Sequence, residues 1–126
     1  MEQIIIVVQS MITLIGILIG GWDGLIYTLI LFISIEYLTN IAVEINKKRL
    51  LKGLIKKTIK KTLIIFLVSM GYFLDFYVFQ SNNLIRTAVI FFYISIEGLS
   101  IVKNMEMLGI PIPQKIKKFL KILKNE

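Results

Sequence analysis

Leu84 to Val102, LIRTAVIFFYISIEGLSIV, decides the fold class. A helix of about 20 residues, rising about 1.5 Å per residue, is long enough to cross a bilayer, yet this run carries Arg86 and Glu97. Eleven positions separate the two charges, and steps of about 100° per residue return position eleven to nearly the same helical face. Tyr93 and Ser100 fall on that stripe and Asn104 extends it, while Val89, Phe91, Phe92, Ile94, Ile96 and Leu99 fill most of the remaining circumference. An apolar helix with one charged stripe needs polar company inside the membrane and does not serve as a lipid-facing anchor.

Working outward, the whole composition agrees. Hydrophobic residues make up 56% and charged residues 18% of the 126-residue chain, and the mean hydropathy is +0.80, values outside the range of an ordinary soluble domain. Apart from Arg86, the 15 Lys and Arg gather in two blocks, Lys47 to Lys61 and Lys103 to Lys124, which flank hydrophobic spans without an interleaved aromatic face. No nucleic-acid partner is expected from that pattern. With no Cys and no His, disulfides, thiolate metal sites and the usual general base are excluded, so no cofactor, metal or catalytic residue is expected and the chain is read as a non-enzyme.

Four spans follow from the hydrophobic runs: residues 4–20, 25–43, 62–79 and 84–102. The first has no positively charged leader region and is read as a retained span, its shortness leaving three crossings plus a re-entrant or interfacial N-terminal helix as the alternative. Gly16 and Gly20 form a GxxxG pair that lets another helix approach closely, expected to serve packing within the chain, with an oligomer interface as the alternative. Gly20, Gly21, Trp22, Asp23 and Gly24 read as a tight interfacial turn. Residues 44–61 carry eight basic residues and apolar residues at helical spacing, which predicts a basic amphipathic connector on an anionic membrane surface. Pro111 and Pro113 stop the fourth helix. They divide a membrane domain, residues 1–110, from a basic amphipathic tail, residues 111–126, with Ile116, Phe119, Leu120 and Leu123 on one face.

Cationic loops stay in the cytoplasm, so both basic blocks and both termini are expected there, while the turns near Asp23 and Ser81 lack Lys and Arg and face outward. Depth then sorts the embedded charges. Asp75 and Arg86 lie within about 3 Å of one another in height near the outer ends of spans three and four, which predicts a charge-assisted contact between them. Glu36, with Asn40 one turn later, and Glu97 are matched near the inner ends, also to about 3 Å. No cation is expected at their level, so the two carboxylates would share a proton or face a water-filled lumen.

NLIRTAVIFFYISIEGLSIVKN followed by LGIPIPQKIKKFL, with GYFLD before them, resembles the phage-lysis and toxin-secretion holin family of Gram-positive phages and their hosts. By position, Asp75, Arg86, Glu97, Gly98 and Asn104 match that family's polar motif positions. EYLTN at Glu36 to Asn40 departs from its DYxTG segment by Glu for Asp and Asn for Gly. The resemblance implies a homo-oligomer of the cytoplasmic membrane that opens a timed lesion for a peptidoglycan hydrolase or a large toxin. From the residues alone, a small channel or transporter subunit and an anchoring subunit stay open as alternatives. The intramembrane residues expected to matter for assembly or a pore are Glu36, Asn40, Asp75, Arg86, Tyr93, Glu97 and Asn104.

Overall fold

A computed structural model describes residues 1–47 and 53–125. It is an all-α membrane protein: α1 (Glu2–Ile19), α2 (Gly24–Asn46), α3 (Leu54–Phe73, extended by a π-helical turn, Leu74–Val78), α4 (Leu84–Met107) and α5 (Gln114–Asn125). Four of these, α1, α2, α3 with its π turn, and α4, are long and apolar enough to cross a membrane. The short polar turns after α1 and after the π segment meet at one end of the bundle, because Arg86 at the start of α4 reaches Asp23.

The helix bounds correct one expectation. The described flanks of the expected connector, residues 44–61, belong to spanning helices: Glu44 to Asn46 complete α2, and Leu54 to Lys61 are the opening turns of α3. Residues 48–52, the middle of that expected connector, lie outside the described residues. The helix starts early because its lysines follow the same periodic spacing as the apolar run after them, and lysine is a good helix former. Four lysines thereby become part of a spanning helix.

The bundle is layered along its long axis. A middle layer of Ile26 and Leu29 from α2, Ile64 and Val68 from α3, and Ile90 and Ile94 from α4 packs without polar atoms. Polar clusters lie on either side of it. α4 is the central element, with 44% of its most apolar stretch buried against 11% for α1, whose side chains from Ile4 to Leu14 are largely exposed. Within lipid the hydrophobic effect does not favour one apolar neighbour over another, so close packing and polar contacts must select the arrangement. Hydroxyls on the spanning helices are mostly spent locally: Thr28, Ser34, Thr62 and Ser95 each donate to the carbonyl four residues earlier, which hides them from lipid. Trp22, Tyr27, Phe76, Tyr77 and Phe79 are exposed around the two polar turns, an aromatic belt of the kind found at headgroup level.

α5 folds back on the bundle. Leu120 is buried, its Cδ2 only 2.8 Å from where a Cβ on Gly98 would stand, and Lys117 pairs with Glu106 at 2.6 Å. α4 ends at Met107, short of both prolines, where the left-handed Gly109 (φ 86) lets the amides of Gly109 and Ile110 cap its last carbonyls, and the tail beyond the prolines is docked along α4, with Ile116 and Phe119 left exposed. α3 and α4 approach just as closely at the other end: a Cβ on Gly71 would lie 3.2 Å from the Cα and 3.3 Å from the amide nitrogen of Arg86. Because that neighbour is backbone, Gly71→Ala is expected to destabilise the bundle by about 1–3 kcal/mol. Gly24→Ala, with nothing within 4 Å of its Cβ, should stay close to wild type. Unfolding by a denaturing detergent, followed by circular dichroism, measures both.

Candidate functional site

Two charge clusters, one at each end of the bundle, hold five of the seven candidate residues, Asp75 and Arg86 in one and Glu36, Glu97 and Asn104 in the other; the ends are called outer and inner after the orientation expected from the sequence. At the outer end, Asp75 and Arg86 do meet, but not as an ion pair of side chains. The Asp75 carboxylate accepts from the backbone amides of Ile85 at 2.9 Å and Arg86 at 2.7 Å, and from the Ser81 hydroxyl. Asn83, the residue before α4, is left-handed at φ 66 and supplies no side-chain cap, so a carboxylate from the preceding helix satisfies the free amides of the first turn. The π turn is the local reason: its wider winding accompanies an inward Asp75 that is 2% exposed.

The Arg86 guanidinium points the other way. Its Nη1 lies 2.8 Å from Asp23 Oδ2, its Nε donates to the Ile19 carbonyl at 2.6 Å, and Nη2 donates to the Gly21 carbonyl at 3.2 Å. Asp23 also caps α2 by accepting from the Ile26 amide at 3.0 Å. Ser69 of α3 donates to the Leu18 carbonyl at 2.7 Å. The carbonyls left over where α1 ends are thus taken by donors from α3 and α4. Gly20, left-handed at φ 87, permits that ending, with Tyr72 and Arg86 Nε too near for any side chain there. Gly16 makes room for the Trp22 indole, whose Nε1 donates to the Ile12 carbonyl at 3.1 Å. Both glycines of the GxxxG pair therefore face partners in their own chain.

At the inner end, the expectation of two carboxylates without a cation is overturned. Lys61 Nζ lies 2.5 Å from Glu97 Oε1 and 3.0 Å from Glu36 Oε1, bridging them. Lys57 Nζ lies 2.8 Å and 2.9 Å from the two oxygens of Glu36. Asn104 donates to Glu36 Oε2 at 3.2 Å and to the Thr39 hydroxyl at 3.0 Å, and Tyr37 bonds Thr58 at 2.6 Å. Two cations face two anions, and both carboxylates are buried, so the cluster is formally neutral and stays tolerable in a low dielectric only while it is closed. Asn40 is half-buried with no side-chain hydrogen bond among the described residues, its expected place taken by Thr39. Tyr93 is half-buried beside Phe92 and lines a groove between α3 and α4 together with Ser100. Lys57 and Lys61 were missed from the sequence because the third span was begun at Thr62. Their spacing of one helical turn, in phase with the apolar run that follows, is the signal that finds them.

The comparisons with known proteins agree with this architecture. The model of the bacteriophage holin family matches residues 13–125. This chain belongs to that family. The holin family is one of membrane pore-forming proteins. Among curated relatives, the chain is 35% identical over 120 residues to the 14.9 kDa protein in the nagH 3′ region of Clostridium perfringens, covering 94% of this chain and 91% of that one. It is 34% identical to protein CPE0383 of Clostridium perfringens, across 100% and 97% of the two chains, and 31% identical to YtkC of Bacillus subtilis, across 88% and 83%. No solved structure matches.

Arg86→Gln is expected to cost about 3 kcal/mol or more, since it strips a buried network of its cation, whereas Asp23→Asn, at a 47% exposed carboxylate, should cost about 1 kcal/mol. Burial pushes the Asp23 carboxyl up, but the Arg86 hydrogen bond, the Ile26 amide and the Arg86 charge outweigh it and hold it below its ordinary value. A depressed acid adds stability that is present above its unfolded value and lost as the pH falls through the folded one. Thermal unfolding of wild type in detergent should therefore weaken between about pH 5 and pH 2 by more than that of Asp23→Asn, and equal acid slopes would remove the assignment.

Proposed function

We propose that this chain is a holin of the cytoplasmic membrane: it accumulates as a closed bundle, oligomerises, and at a set moment opens a lesion through which a peptidoglycan hydrolase or a large toxin leaves the cell. Both termini and the lysine-rich ends are assigned to the cytoplasmic side by the distribution of cations. The observation that carries the reading is the closed Lys57, Lys61, Glu36 and Glu97 cluster in a chain of the holin family. Buried ions paired within one subunit let the monomer rest in lipid, and the same ions become a hydrophilic lining once the helices part and water enters.

Such a cluster has two stable conditions, closed and dry or open and hydrated, and little between, because an unpaired ion in hydrocarbon is costly. The abruptness of a lesion then follows from the chemistry of the cluster. Membrane potential can bias the choice, as one charge moved through 100 mV corresponds to about 2.3 kcal/mol, more than a tenfold change in an equilibrium.

Timed expression with a co-expressed hydrolase that lacks a signal sequence should give abrupt lysis, and an uncoupler added beforehand should advance it. Lys61→Gln, which leaves Glu97 without its bridging cation, should shift the lysis time strongly. Lysis at wild-type time in that variant would remove the cluster as the gate, and release of ions but no protein from liposomes would replace the lesion with a channel.

A further inference from the structure

The groove between α3 and α4 has a volume of about 780 Å³ and changes character along its length. At the end where α3 begins, it is lined by Lys56 and Lys60 beside the paired Lys57 and Lys61. Further along α3 its lining turns to Leu63 and Leu67, with Ile96 from α4 opposite. Lys56, Lys60, Leu63 and Leu67 recur at intervals of three and four residues, so they stack on one face of the helix. From Lys56 to Leu67 that face runs about 16 Å along the axis.

The glutamates consume the charge of Lys57 and Lys61, whereas Lys56 and Lys60 have no ion-pair partner among the described residues. The groove therefore offers two uncompensated cations above an apolar floor, with the hydroxyls of Tyr93 and Ser100 along its wall. A free phosphate would use only the cations and leave the floor empty. An uncharged lipid would use only the floor.

We propose that this groove binds one anionic phospholipid, its phosphate against Lys56 and Lys60 and an acyl chain laid along Leu63, Leu67 and Ile96. The complementarity is of charge at one end and of apolar surface at the other, and basic recesses between membrane helices at headgroup level are suited to such headgroups. The site rests on the chain being a membrane protein and is independent of whether it opens a lesion.

The test uses the full chain in a mild, uncharged detergent, with retained lipid counted by native mass spectrometry. Dioleoylphosphatidylglycerol should be retained at one molecule per chain and dioleoylphosphatidylcholine much less. The double variant Lys56→Gln with Lys60→Gln should weaken phosphatidylglycerol binding about tenfold or more. Lys56→Arg with Lys60→Arg should keep it, and Lys118→Gln with Lys121→Gln on α5 should leave it unchanged. Equal retention of the two lipids, or equal loss in the groove and α5 variants, overturns the proposal. Displacement of the lipid by inorganic phosphate or glycerol phosphate as readily as by added phosphatidylglycerol would assign the site to free phosphate and overturn it too.

Discussion

The rest of the bundle depends on where Arg86 puts its guanidinium. A cation in the first turn of a spanning helix must find acceptors, since lipid supplies none. The acceptors it finds are the unpaired carbonyls at the end of α1 and the carboxylate that caps the start of α2. Those groups have a matching need, because helix ends leave carbonyls and amides without partners inside their own helix. One side chain thus resolves deficits on two other helices, and Asp75 resolves the deficit of Arg86's own helix by capping its amides. Close approach at Gly71 brings that first turn against α3. The outer end is consequently a single hydrogen-bonded unit in which α1, α2, α3 and α4 each take part.

The inner end solves a similar problem with side chains alone. Glu36 and Glu97 come from α2 and α4, and both lysines come from α3, so the cluster joins three helices and leaves α1 out. α1 is joined to the others near its C-terminal end, through Ser69, Tyr72 and Arg86, and its long apolar run is exposed. Between the two polar ends the middle layer contributes fit, not polarity. The specificity of the assembly therefore resides in hydrogen bonds at its two ends, which suits a medium where apolar contact distinguishes poorly between partners.

Much of this was legible in the sequence. Arg86 and Glu97 on one helical stripe announced a helix with polar neighbours, and depth alone separated them into an outer and an inner site. The part that was not legible is direction. Asp75 and Arg86 were rightly brought to one height, but opposite charges at one height suggest an ion pair, and the sequence does not reveal that a π turn aims Asp75 at backbone amides. Asp23 read as a turn residue because turns favour Asp, and nothing in its spacing marks it as the partner of a residue sixty-three positions away. Lys57 and Lys61 were hidden by a hydropathy boundary: a window that rewards apolar residues ends a span where lysines begin, although the helix continues through them.

The two polar ends also differ in what parting the helices would demand of them. At the outer end most of the partners of Arg86 and Asp75 are main-chain groups, carbonyls that accept from the guanidinium and amides that donate to the carboxylate, which any rearrangement must leave satisfied, so separation there would strand groups that side-chain movement cannot rescue. At the inner end the partners are two lysines and two carboxylates on flexible stems, and each can exchange its protein partner for water without disturbing a helix. Long side chains that reach toward an interface do this at low cost. Under the proposed function, opening is therefore expected to begin at the inner cluster, with the Arg86 knot acting as the pivot about which α2, α3 and α4 part. That ordering follows from the kind of groups at each end, main chain at one and side chain at the other, and does not require the outer contacts to be stronger.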